Sequence, residues 1–359
     1  MSDFAQHGPI LTLPCLETSS ADALEHEVLP HLTQRNPVAL ILPCIAADAL
    51  ADPLRQILEC LEKTIWIQHI LVPVNGLSPE DFKVAATALL NSYPQLPLTV
   101  LHTDADLPQL QPGKGSNVLN ALRLLKSQSF TGIVALQDAD HVSFRSDALA
   151  RLVHPVVDRT FGLELAKQFY SRCDHRLHGR VSRLFLAPLL ETLTTTLPAN
   201  LARFLNAFRY PLAGECALSM RFAEHIQIPA GWGLEIALLT EAHRILSPEA
   251  VCQVGSPRPH QHRHHQDSQH LLEQCRAILN TLATHPSSEG KLTQEALLNL
   301  QPLFAQAQLR ALRSSSLVAR ANALQYDTES EFELAALFST SLAEPRHSPV
   351  LNGINDLEH

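Results

Sequence analysis

Two carboxylates stand two residues apart at the end of an unbroken apolar run: Asp138-Ala139-Asp140 follows Ile133-Val134-Ala135-Leu136. In extended chain, residues i and i+2 project to the same side, so Asp138 and Asp140 face one way and Ala139 the other. A pair of hard oxygen donors suits Mg²⁺ or Mn²⁺, and such an ion neutralises a diphosphate. Taken alone, Asp-x-Asp reads equally well as a loop with two solvated acids.

Other stretches add chemistry. In Gln111-Pro112-Gly113-Lys114-Gly115-Ser116-Asn117 the glycines let the backbone approach a ligand, and Lys114 offers a point charge to an anion. This is not a phosphate-binding P-loop, because Gly115 follows Lys114 where Ser or Thr is required. The plain alternative is a glycine turn opening a helix. His178-Gly179-Arg180-Val181-Ser182 also precedes a helix, where free N–H groups and a guanidinium fork can meet an anion together; an ordinary exposed Arg is the alternative. Gly231-Trp232-Gly233-Leu234-Glu235 sets a Trp in a tight turn and an acid able to accept sugar hydroxyls, unless the Trp is simply packed. Arg258-Pro259-His260-Gln261-His262-Arg263-His264-His265 is dense in imidazole, fit for a metal or for solvent.

The elements that must position these groups alternate. Val38 to Leu42, Ile70 to Val74, Leu98 to Leu101 and Ile133 to Leu136 are apolar runs typical of strands buried on both faces. Helical spacing fills the gaps: Asp48 to Lys63, a start at Ser78-Pro79-Glu80-Asp81 with Ser as N-cap, and Ser116 to Lys126. That order predicts an α/β fold with a mainly parallel sheet flanked by helices, and such sheets bind ligands beyond their strands' carboxyl ends. Leu163 to Tyr170 and Ala250 to Val254 read as extended. Val181 to Leu193, Leu234 to Leu246, Leu271 to Leu282 and Thr293 to Ala323 read as helical.

The expected organisation is an N-terminal segment 1–35, a catalytic domain 36–266 and a helical C-terminal extension 267–345. The catalytic domain divides into a nucleotide half to about 140 and an acceptor half from 141. Residues 346–359 are expected to form a flexible tail.

Composition narrows the classes. The net charge of −9 argues against nucleic acid or an anionic membrane as partner. Seven cysteines, odd in number and without C-x-x-C, argue against a disulfide scaffold or zinc ribbon and fit reduced cytoplasmic thiols. No apolar run approaches the roughly 18 residues of a membrane span.

These motifs, in this order, resemble the glucosyl-3-phosphoglycerate synthases of glycosyltransferase family 81, retaining enzymes of the GT-A nucleotide-sugar-binding fold. The resemblance spans roughly residues 36–285. It also draws on Lys167-Gln168-Phe169-Tyr170, Pro188-Leu189-Leu190 and Pro211-Leu212-Ala213-Gly214-Glu215. It implies glucose transfer from a nucleotide sugar such as UDP-glucose to D-3-phosphoglycerate, Mg²⁺ replaceable by Mn²⁺ or Co²⁺, and a homodimer.

Carried onto this chain, the resemblance puts Pro43, Cys44, Ile45 and Asn75 at the nucleoside, Lys114 at the donor phosphate or sugar, and Asp138 and Ala139 at ribose or sugar. Gly179, Arg180, Val181 and Ser182 would cradle the acceptor, and Trp232 and Glu235 the transferred glucose. Asp140, Lys114 and Glu235 would be catalytic. Asp140 and His260 would hold the metal, with His262 as second choice for the imidazole. Ala46-Ala47 and Val74-Asn75-Gly76 depart from the pattern, both in the nucleoside pocket. The competing readings are a mannosylglycerate-type synthase, a sugar nucleotidyltransferase and a non-catalytic sugar-nucleotide binder.

Overall fold

The computed structural model describes residues 6, 8–16, 20–194, 196–256, 258–260, 267–344 and 351–357. In chain order the strands are β1 (Leu11–Leu13), β2 (Val38–Ile41), β3 (Cys44–Ile45), β4 (His69–Asn75), β5 (Leu98–His102), β6 (Ile133–Leu136), β7 (Leu165–Phe169), β8 (Cys216–Ser219), β9 (Ile228–Pro229), β10 (Val251–Gly255) and β11 (Leu351–Asn352). Nine of them form one sheet in the order β1-β10-β7-β8-β6-β2-β4-β3, with β5 also on β4. All its pairings are parallel except those of β8, which runs antiparallel to both β6 and β7.

Strand composition explains the layering. In β2, Ala39 and Ile41 enter one apolar core while Val38 and Leu40 enter the other. In β6, Val134 and Leu136 part from Ile133 and Ala135 in the same way. Period-two alternation with every residue apolar leaves neither face for water, so helices cover both. Asp52–Leu61 and Ser146–Val157 pack on one side, Lys114–Ser127 and Leu234–Ile245 on the other. Ser78 caps Pro79–Ser92 as its sequence predicts, accepting from the Asp81 N–H at 3.1 Å.

Two expected boundaries dissolve in the packing. Leu11–Leu13 of the N-terminal segment extends the catalytic sheet by pairing with β10. The helices Ser268–Thr284, Gln294–Ala321 and Thr328–Ser339 place Ile278, Phe304 and Phe338 in the same core as Val118 and Leu238, so residues after 266 share the catalytic domain's interior. The expectation of a loose tail is also corrected in part. Within 346–359, residues 351–357 dock: β11 pairs antiparallel with β9, and Ile354 is fully buried.

Candidate active site

Because β2, β4, β6 and β7 run parallel, the residues that follow them gather at one edge. There a cavity of about 1160 Å³ opens. Its wall holds every residue expected at the donor: Pro43, Cys44, Ile45, Asn75, Lys114, Asp138, Ala139, Trp232 and Glu235. It also holds Asp140 and the whole expected acceptor segment, Gly179, Arg180, Val181 and Ser182.

Lys114 is the centre of this site. It opens the helix Lys114–Ser127 after Gly113, and its Nζ lies 2.5 Å from Asp138 Oδ1 and 2.6 Å from Glu235 Oε1. Burial draws its pKa down, but the two carboxylates outweigh that and hold the ammonium well above its ordinary range. Burial raises Glu235, yet Lys114 and Lys167 together bring it below the usual carboxylate value. Lys114 and Glu235 are therefore both charged near neutrality.

The loop carrying Lys114 is tied down on both sides. Asn75 Nδ2 donates to the Gly113 carbonyl at 2.8 Å, and the Ser116 N–H donates to the Ala230 carbonyl at 2.8 Å. Gly115 lies so close to Pro229 that a Cβ there would overlap the Pro229 carbonyl oxygen. Ala230 leads into Trp232, which is 44% exposed at the cavity, and Gly233 turns the chain into Leu234–Ile245 at φ +100°, a conformation that favours glycine. Gly113 and Gly115 thus serve close approach to the backbone of Pro229 to Gly231, and Gly233 serves a turn.

Arg180 and Ser182 line the same cavity together with Arg172, His178 and Tyr210. Arg183 faces elsewhere: its guanidinium forks onto Glu331 with two 3.0 Å bonds. The Cys44 thiol is pushed far up by burial and then by Asp48 and Asp140, which leaves it protonated and unreactive.

Asp140 is half-buried in the wall. His260 is stacked on the wall residue Tyr170 with ring centroids 3.9 Å apart, its Nε2 2.8 Å from Ser256 Oγ. A carboxylate and an imidazole suit Mn²⁺ or Co²⁺ and tolerate Mg²⁺, so the donor chemistry fits a divalent ion. The structure groups His260 with His141 and Glu215. His262, the second choice, lies outside the described residues.

Several site residues carried no advance signal. Arg172, Tyr210 and Asn352 reach the cavity from three separate segments. Asn117 is fully buried and donates to the Cys44 carbonyl at 2.8 Å; three polar residues in five at the helix start (Ser116, Asn117, Asn120) were the available clue. Lys167, 1% exposed, donates to the Ala213 carbonyl next to Gly214, whose backbone lies against the Asp138 carboxylate.

Sheet order and edge cavity together define a GT-A-like α/β fold. No protein-family model matches the chain. The chain is similar to the glucosyl-3-phosphoglycerate synthase of Persephonella marina, 28% identical over 95% of this chain and 89% of that protein. It is also similar to that of Methanococcoides burtonii, 25% identical over 87% and 83%. Among solved structures it matches the Mycobacterium tuberculosis glucosyl-3-phosphoglycerate synthase in complex with Mn²⁺, uridine diphosphate and glucosyl-3-phosphoglycerate. That match has a TM-score of 0.59 at 23% identity, covering 78% of this chain and 88% of that one. The same mycobacterial enzyme is known with Mn²⁺, UDP-glucose and phosphoglyceric acid, and with Mg²⁺ and uridine diphosphate.

Proposed function

We propose that the protein is a metal-dependent glycosyltransferase that moves glucose from UDP-glucose to the hydroxyl of D-3-phosphoglycerate with retention at the anomeric carbon. The observation that carries this reading is Lys114 pinned between Asp138 and Glu235 in the lining of a cavity that Arg180 also lines. The similarity to named glucosyl-3-phosphoglycerate synthases along 95% of the chain supports the substrate pair.

In this reading Pro43, Cys44, Ile45 and Asn75 flank the nucleoside, with Asp138 and Ala139 at ribose or sugar. Trp232 and Glu235 hold the glucose. Gly179, Arg180, Val181 and Ser182 hold the phosphate and carboxylate of the acceptor. Asp140 and His260 hold the divalent ion, which when bound neutralises the diphosphate. Lys114, kept protonated by its two carboxylates, supplies a second positive charge to the departing diphosphate, where most negative charge develops. The acceptor hydroxyl attacks from the face the diphosphate leaves, and its proton passes to the leaving phosphate oxygen. As for the setting, the seven widely spaced cysteines support a cytoplasmic location and the family resemblance supports a homodimer.

A screen of nucleotide release across donors and acceptors, with and without Mg²⁺ or Mn²⁺, tests the reading. UDP release from UDP-glucose that needs both 3-phosphoglycerate and the metal is the expected result. Release of pyrophosphate identifies a nucleotidyltransferase instead, and a preference for GDP-mannose with glycerate identifies a mannosylglycerate-type enzyme. In the same assay Asp140→Ala lowers kcat about a hundredfold or more.

A further inference from the structure

Three ligand-type side chains from three sheet connections meet behind the cavity. His141 follows Asp140, Glu215 precedes β8, and His260 follows β10. One donor atom from each lies within 4.8 Å of the other two, and the residues are 2%, 0% and 4% exposed. Gln137 Nε2 donates to His141 Nδ1 at 3.0 Å and to Glu215 Oε1 at 3.1 Å. Lone pairs of both ligands therefore converge on one point, where an amide nitrogen now sits. The surroundings hold the donors in place: Tyr170 Oη donates to Glu215 Oε2 at 2.7 Å, Ser143 Oγ lies 3.2 Å from His141 Nε2, and Ser256 fixes the far edge of His260. Metal-bound imidazoles and carboxylates are oriented by outer partners of this kind.

We propose that His141, Glu215 and His260 form a second cation site, sharing His260 with the one proposed at Asp140, that takes a borderline first-row divalent ion such as Zn²⁺ or Co²⁺. Two imidazoles and one carboxylate favour such ions over Mg²⁺, which prefers oxygen and keeps its waters. Occupation requires the Gln137 amide to swing out of the point of convergence. It also engages His260, which the function proposed above assigns to the ion at Asp140. An ion held here therefore inhibits the Mg²⁺-supported reaction; only this last consequence rests on the function proposed above.

The test uses the full-length protein, stripped with a chelator and titrated with Co²⁺, read by visible d–d absorption and by metal content after gel filtration. Wild type is expected to take up Co²⁺ with visible absorption, and Asp140→Ala to keep that absorption. His141→Asn, its fold checked by circular dichroism, loses it, with Co²⁺ affinity lower by more than about a hundredfold; it retains Mg²⁺-supported turnover. Glu215→Gln repeats the loss in a side chain of the same shape. Gln137→Ala, which removes the competing donor, tightens Co²⁺ about five- to tenfold. The proposal is overturned if saturating Co²⁺ gives wild type no d–d absorption. Absorption that vanishes in Asp140→Ala but survives in His141→Asn overturns it too, because a single site at Asp140 then accounts for the metal.

Discussion

Lys114 and Glu235, 121 positions apart in sequence, are joined by an Nζ–Oε1 contact of 2.6 Å. This pair, with Asp138, sets the charge of the site. Lys114→Ala is expected to lower kcat about 10²–10³-fold, the usual cost of removing one preorganised charge stabiliser. It also removes the main influence that depresses Glu235. In wild type Glu235 stays ionised below the ordinary carboxylate range, whereas in the variant it gains its proton at higher pH. The acid limb of the pH–rate profile therefore moves upward, and an unmoved limb excludes Glu235 as the group that titrates.

Arg180 and Arg183 are three residues apart; Arg180 lines the cavity and Arg183 forks onto Glu331. Arg180→Ala is expected to raise the KM for phosphoglycerate about ten- to a hundredfold with little change for the donor, the worth of a charge-assisted bond. Arg183→Ala breaks the fork onto Glu331 and costs about 3 kcal/mol of stability instead. Steady-state kinetics beside thermal unfolding separates the two. A donor KM that rises steeply in Arg180→Ala while the phosphoglycerate KM stays put would move that residue to the nucleotide site.

Gly115→Ala tests the close approach of the lysine loop to β9. The added methyl overlaps the Pro229 carbonyl, so the backbone must part and the bond from the Ser116 N–H to the Ala230 carbonyl lengthens. Overpacking of this kind costs about 1–3 kcal/mol. Donor binding weakens along with it, because Lys114 and Trp232 are displaced together. Calorimetric titration with UDP checks this, and wild-type affinity would show that the loop tolerates a side chain.

Glu241 governs acid stability. Its carboxylate is buried, which raises its pKa, but bonds from Arg244, His285 and the Gln227 N–H prevail and bring it to about 2. Folded pKa below unfolded pKa means stability that is present above about pH 4.5 and lost as pH falls toward 2. The amount is about 3 kcal/mol. Glu241→Gln is expected to be less stable near neutrality and flatter across that window in urea melts. Parallel curves for the two proteins contradict the assignment.

Removal of residues 351–359 tests the docked tail. Ile354 is fully buried, and β11 braces β9 just before the Trp232 turn. Loss of the isoleucine alone costs about 1.5–3 kcal/mol. The expected outcome is a lower midpoint of unfolding and a raised donor KM, and a truncated protein with both unchanged shows the strap to be dispensable.

Local pattern by itself determined most of the sheet and pointed to candidate residues that line one cavity. Apolar runs longer than one face needs, as at Val38 to Leu42 and Ile133 to Leu136, specify strands covered on both sides, and parallel strands deliver the loops at their carboxyl ends to one edge. Asp138, Asp140, Lys114, Arg180 and Trp232 were therefore legible from their places at strand ends and helix starts. Only the tertiary structure decided what lies between such elements. The antiparallel strand Cys216–Ser219 is a short apolar run whose direction is fixed by its neighbours β6 and β7. Leu11–Leu13 and Leu351–Asn352 are three and two residues long, too short for any period to show, and are strands because a partner's unpaired backbone is within reach. Lys167 is buried in the middle of an apolar-looking strand because the Ala213 carbonyl waits for its ammonium. His260 was readable as a candidate ligand, but its company was not. Packing of three distant connections, a long-range outcome with no trace in spacing, set it beside His141 and Glu215.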